Sequence, residues 1–251
     1  MRTIDYSVVF GNVLNLCGIE SDAGGANQVV PGRVLWKLVR DFTSNRLKYG
    51  WEAARWPEVC VQESRVVTVS GGVEGNYIAL DQAGQNEIAT VFEVRNKNPK
   101  QSQDSIRLGY YLSENGVQLD GAGTTAWLHY RKHSPRLTGD LYSKAVGVNY
   151  AIGGQAYDAG NFYDALEVIT GDGTTVNSPS AAPAKWALVE IPDVLRNYLI
   201  KGVYSDYLRH DGRMDQSHPA ERDATAVLEH EVIQLESIQG QNVRYEFVGQ
   251  Y

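Results

Sequence analysis

The stretch over residues 191–241 constrains the fold most, because it carries the longest continuous helical pattern in the sequence. Pro192 stands where a first helical residue is expected, since its missing N–H would have no partner there anyway. Apolar and aromatic residues then recur with a period close to 3.6 as far as Leu208, and Gly212 provides a helix stop. A second helical pattern restarts around Pro219. The stretch therefore predicts a helical hairpin, and it contains no catalytic motif.

The rest of the chain divides into blocks of a single type. Residues 1–58 predict two helices, over 4–17 and from Pro31 to Trp56, and Pro57 ends the second. Residues 59–190 are rich in short alternating segments, of which 142–168 predict a small aromatic β unit. Residues 242–251 predict an extended tail. Blocks of helices and strands favour an α+β fold, in which the N- and C-terminal helices pack as one bundle and the central antiparallel β-rich region projects from it as an insertion.

Composition excludes several classes of function. The net charge of −7 is unlike that of a protein that grips nucleic acid, although an acidic wall tolerates the passage of DNA. No apolar run is long enough to span a bilayer, and we expect neither a membrane partner nor a secretory signal. The two cysteines, Cys17 and Cys60, are expected to be buried free thiols. The 15 tyrosines and 5 tryptophans favour interfaces and half-buried sheets.

The polar residues form no recognisable catalytic pattern. His129 and His133 lie about 13 Å apart if they share a strand, too far to bind one metal ion. A metal or acid–base site formed by His210 with Asp206, Asp211 and Asp215 is an alternative to a solvated helical turn with capping carboxylates. No serine lies in a nucleophile elbow, and no pair of carboxylates stands out. We therefore expect no enzyme activity, no catalytic or metal site and no cofactor.

Several segments resemble one group of proteins in the same order along the chain. They are KYGWEAARWPEV at 48–59, WLHYRKHSPR at 127–136, a tyrosine- and glycine-containing unit at 150–165, and the ending formed by YLIKG at 198–202, YLRHDG at 207–212 and QGQ at 239–241. Together they resemble the head-to-tail connector, or adaptor, proteins of tailed bacteriophages. Ile238 departs from the pattern, and residues 59–123 match nothing in it.

The resemblance implies a structural virion protein at the head–tail junction, made in the host bacterial cytoplasm. Such a protein docks on the portal protein as a homo-oligomeric ring of twelve copies, meets tail or neck proteins and extends the channel for DNA ejection. A free acidic helix face would line that channel. The expected channel-facing acids are Glu221, Glu229 and Glu236, and the expected interface residues are Trp51, Trp56, Tyr198, Tyr204, Tyr207, Arg209, Arg244, Tyr245 and Phe247.

Three alternatives remain open on sequence alone. Trp51 and Trp56 could pack inside the protein and anchor the end of a helix instead of facing a partner. The whole chain has a second functional hypothesis, a carbohydrate-binding tail or capsid accessory protein that uses Tyr150, Tyr157 and Tyr163. A hydrolase is the third and weakest hypothesis, because no nucleophile is identifiable.

Overall fold

The computed structural model describes residues 2–19, 34–69, 76–81, 87–114, 116–121 and 123–248, with the backbone alone for 239–248. The chain forms two compact units. The first, which we call the bundle unit, combines Met1–Ala54 with Pro135–Tyr251. The second, the insertion unit, is Arg55–Ser134. The fold is α+β, as the sequence predicts.

Four helices build the core of the bundle unit. They are α1 (Tyr6–Leu16), α2 (Val34–Ala53), α3 (Arg196–His210) and α4 (Met214–Val248), and a 3₁₀ turn over Asp193–Leu195 leads into α3. Helix α3 is central, since it packs against each of the other three. The N- and C-terminal helices therefore form one bundle, as predicted. Its buried apolar residues include Val13, Val39, Leu47, Leu199, Val203 and Ala224.

The turn between α3 and α4 forms for the reason that the sequence predicts. Gly212 has a φ of +79°, which a residue without a Cβ adopts without strain. Its N–H donates to the carbonyl of Arg209 at 3.2 Å, and the N–H of Arg213 donates to that of Leu208 at 2.9 Å. The next helix starts at Met214, earlier than predicted, so that Pro219 lies inside α4. Buried Ser205 and Ser217 hold this first turn, because each hydroxyl donates to the other residue's carbonyl, at 3.0 and 3.2 Å.

In the part of the insertion unit that the structure describes, two antiparallel sheets share one core. Its strands are β1 (Cys60–Val66), β2 (Thr68–Val69), β3 (Asn76–Ile78), β4 (Ile88–Arg95), β5 (Tyr110–Ser113), β6 (Gly116–Leu119) and β7 (Thr125–Lys132). The sheet orders are β1-β7-β4 and β2-β3-β6-β5. In β7, Ala126, Leu128 and Tyr130 are fully buried while Trp127 and His129 are half-buried, which confirms the predicted alternation.

A second β region belongs to the bundle unit. It contains β8 (Asp140–Leu141), β9 (Asn149–Tyr150), β10 (Gln155–Asp158), β11 (Asn161–Ala165), β12 (Ile169–Thr170), a 3₁₀ turn (Pro183–Lys185) and β13 (Trp186–Leu188). These strands form a sheet of order β13-β11-β10-β8 and a separate β12-β9 pair. All the pairings are antiparallel except that of β8 with β10.

This region corrects the predicted boundary of the insertion. We expected 59–190 to form one insertion, but only Arg55–Ser134 is a separate unit. The later strands pack on α1 and α2, because the rings of Tyr157 and Phe162 lie 5 to 6 Å from those of Tyr6 and Trp36. The N–H of Ser7 also donates to the carbonyl of Gly160 at 2.9 Å.

The predicted extended tail over 242–251 is also wrong for the residues described, since α4 continues through Val248. No proline follows Pro219 in this helix, and extending an existing helix costs far less than starting one. The predicted start of α2 at Pro31 falls outside the described residues.

Candidate protein interface

An arginine inside the bundle ties three helices together. Arg46 of α2 is 9% exposed. Its Nε and Nη2 each donate to Asp206 of α3 at 2.7 Å. Its Nη1 and Nη2 donate to Glu221 of α4 at 2.7 and 2.5 Å. Bidentate pairs of arginine with a carboxylate are among the strongest hydrogen bonds in proteins, and they fix both the distance and the angle between the two side chains.

Two glycines make room for this arrangement. A Cβ on Gly202 would lie 3.0 Å from Cδ of Arg46, and a Cβ on Gly50 would lie 3.1 Å from Leu195 and Tyr198 side-chain atoms. Both distances are shorter than ordinary van der Waals contact. The glycines therefore allow α2 and α3 to approach closely, with Arg46 between them.

The electrostatics of the cluster follow from this geometry. The hydrogen bonds from Arg46 lower the pKa of the Glu221 carboxyl, although burial acts in the opposite direction. Arg209 lies at the rim, 3.6 Å from Asp206 and 3.8 Å from Glu221. Each carboxylate of the cluster is therefore paired with an arginine of the same chain, which gives the cluster a structural role.

A wide cleft of about 1140 Å³ opens beside this cluster, between α2, α3 and α4. Phe42 and Tyr49 of α2 and Leu228 of α4 contribute its apolar lining. Tyr49 is 68% exposed. An aromatic ring so exposed in a concave helical surface is typical of a protein interface.

The second half of α4 carries mostly exposed side chains over the described residues 229–238. Helix α4 has 35 residues and α3 has 15, so that at about 1.5 Å per residue α4 is about 30 Å longer than α3, the helix with which it makes its main contact. Beyond Leu228 its side chains include two exposed isoleucines, Ile233 at 63% and Ile238 at 59%. Exposed acids, Glu229 and Glu236, lie among them.

The predicted interface residues fall into three groups. Trp51, Trp56 and Tyr198 are 3%, 1% and 4% exposed, so they lie in the interior and present no surface to a partner. Their burial favours the packing alternative for the tryptophans, and it corrects the expectation of an interface role for all three. Tyr204 and Tyr207 are half-buried and Arg209 is exposed. Arg244, Tyr245 and Phe247 have side chains outside the described part of the structure.

The three acids expected to face a channel differ in their surroundings. Glu221 is held by Arg46 and so is not a free acid. Glu229 and Glu236 are exposed and remain candidates.

Within the described ranges, no three His, Cys, Asp or Glu side chains are placed to hold a metal ion. His210 lies beside Phe42, with ring centroids 6.2 Å apart. Asp206, which the sequence suggested as a partner of His210 in a metal or acid–base site, forms an ion pair with Arg46 instead.

The aromatic residues of the second β region contact one another. The Tyr142 and Tyr150 rings stack at 5.5 Å, and both meet the Trp186 ring edge-on at 6.0 and 5.3 Å. Tyr157 is 8% exposed, within the cluster formed with α1 and α2. Mutual packing thus covers much of the ring surface that binding of a sugar would need.

Comparison with other proteins adds no identification. The chain matches none of the models of known protein families and none of the curated proteins against which it was compared.

None of the helices described has the length and apolar character needed to cross a membrane.

Sequence reasoning missed Arg46, the residue around which the cluster is built. Its two partners lie 160 and 175 positions further along the chain. The only local signal was the presence of glycines inside helical patterns, which usually indicates close packing.

Proposed function

We propose that this chain is a structural, non-enzymatic protein of the phage virion that joins the portal to the tail as a ring around the DNA channel. The observation that carries the proposal is the projecting half of α4, with its exposed isoleucines among exposed acids. Apolar side chains on a helix that extends past its packing partner are stabilised when a protein partner covers them. The sequence resemblance to connector proteins supplies the kind of assembly, a ring of twelve copies docked on the portal protein.

The distribution of charge supports the same proposal. Glu229 and Glu236 are exposed on α4, in a chain of net charge −7. Repeated around a ring, these carboxylates would give the wall a negative potential that repels phosphate, so DNA would pass without binding. Glu221 takes no part in this, because Arg46 neutralises it.

Mass photometry tests the proposal with two matched variants. The wild-type chain, mixed with purified portal protein, is expected to form a closed oligomer on it. Ile233→Asp together with Ile238→Asp is expected to abolish that oligomer, because the change buries charge in an apolar contact. Ile152→Asp is the control, since Ile152 is 71% exposed in the same unit but lies outside α4. A chain that stays monomeric with portal present, or a double variant that assembles like wild type, would contradict the proposal.

A further inference from the structure

A second, smaller cavity lies within the insertion unit. Its volume is about 390 Å³. Phe92 and Glu93 of β4, His129 of β7, and Arg55 and Arg107 contribute to its lining. All of these residues belong to Arg55–Ser134, so the cavity is a feature of one compact unit.

Positive charge is concentrated around this cavity. The Cζ atoms of Arg55 and Arg131 lie 4.3 and 5.6 Å from the centre of the Phe92 ring. Glu93 accepts hydrogen bonds from Arg95, at 2.9 Å from its Nε, and from Nε of Arg107. Two guanidinium groups, those of Arg95 and Arg107, thus bind the Glu93 carboxylate, and two more, those of Arg55 and Arg131, lie over the neighbouring Phe92 ring.

Two of these arginines are placed to receive a ligand. The Arg107 side chain is 76% exposed, and Glu93 orients it. Arg55 is exposed, and none of the carboxylates that the structure describes forms an ion pair with it. The Arg55 guanidinium lies over the Phe92 ring. This contact restricts the side chain, which lowers the entropy lost when its N–H groups bind a planar or tetrahedral oxyanion.

We propose that this pocket binds an oxyanion, a phosphate or a carboxylate group, with Arg55 and Arg107 as its donors. Both kinds of anion suit arginine, because the guanidinium fork makes two parallel hydrogen bonds to either one. The ligand balances the excess of positive charge that Glu93 leaves uncompensated. The source of the anion is a phosphorylated small molecule or an acidic protein segment.

His129 provides a reporter inside the pocket. Its ring lies 5.4 Å from that of Phe92. Burial lowers its pKa, the positive charges of Arg55 and Lys100 lower it further, and the negative charge of Glu93 partly opposes them. A bound anion would stabilise the imidazolium form, so binding is expected to raise this pKa.

The experiment is an NMR titration of the His129 ring resonances in the full chain. The probes are inorganic phosphate and a tetraglutamate peptide, each at constant ionic strength set with potassium chloride. We expect a saturable shift with at least one probe and a higher titration midpoint for His129 in its presence. Saturation by phosphate alone indicates a phosphorylated ligand, and tighter binding of the peptide indicates an acidic protein segment.

Three variants make the assignment specific. Arg55→Met and Arg107→Met are each expected to weaken binding about tenfold or more, the usual value of a charge-assisted hydrogen bond. Arg136→Met is the control, because Arg136 is an exposed arginine outside the insertion unit. Since Arg107 is mostly exposed, its variant should fold even if the Arg55 variant does not. The proposal is overturned if neither probe gives a saturable shift, or if Arg107→Met binds as tightly as wild type.

Discussion

Replacing Arg46 with methionine tests how the three helices of the bundle are held together. Breaking a buried ion pair by removing one partner costs about 3–5 kcal/mol. The Asp206 and Glu221 side chains keep 16% and 32% of their exposure, and Arg209 remains near both. Water and Arg209 therefore compensate part of the loss, and we expect Arg46→Met to lower the free energy of unfolding by about 2–3 kcal/mol at pH 7.

The loss should depend on pH with a defined sign. The folded-state pKa of Glu221 is depressed, so its contribution is present above its ordinary pKa of 4.5 and is lost as the pH falls through the lower, folded value. The difference between wild type and Arg46→Met should therefore be largest near neutral pH and shrink in acid.

Urea unfolding followed by circular dichroism, repeated across this pH range, measures the difference. Arg196→Met is the control, because Arg196 pairs with Asp193 at 3.1 Å but is 46% exposed, and its loss should cost less than about 1 kcal/mol. An Arg46 variant as stable as the Arg196 variant, or one whose deficit does not change with pH, would refute the reasoning.

Three further outcomes are expected from the packing and the local fields. Gly50→Ala should destabilise the chain by about 1–3 kcal/mol through overpacking against α3, whereas Gly11→Ala, where a Cβ meets nothing within 4 Å, should stabilise it by up to about 1 kcal/mol; urea unfolding separates the two. The His129 ring should titrate below its ordinary pKa of 6.5, and Arg55→Met should raise that midpoint in an NMR titration without added anion. Burial raises the pKa of the Cys17 thiol to about 11, so iodoacetamide should modify it much more slowly at pH 8 than it modifies free cysteine.

Local patterns predict the helices of the bundle well. The 3.6-residue period and the left-handed position of Gly212 depend only on neighbouring residues, and both appear in the structure as expected. The start and end of α4 are predicted less well. A proline in the first turns and a run of β-branched and aromatic residues near the end suggest boundaries, but the helix continues through both. Propagation of an existing helix outweighs these weak local preferences.

The candidate sites depend on contacts between distant parts of the sequence. Arg46 and Asp206 are 160 positions apart, and no local pattern connects them. Local sequence also does not predict whether a side chain points into the core or toward solvent. The aromatic residues Trp51 and Tyr198 suit an interface and a core equally well, and only the folded structure shows that both are buried. The boundary of the insertion depends on aromatic contacts of the same long range.

The proposed function places this chain in a phage particle, and its position in such a particle tests the proposal most directly. Electron cryomicroscopy of intact particles, with the density at the portal vertex compared with and without this chain, gives that position. We expect a ring between the portal and the tail, with the exposed α4 acids Glu229 and Glu236 facing the DNA channel. Copies found elsewhere on the particle, or particles whose portal–tail joint is complete without this chain, would contradict the proposal.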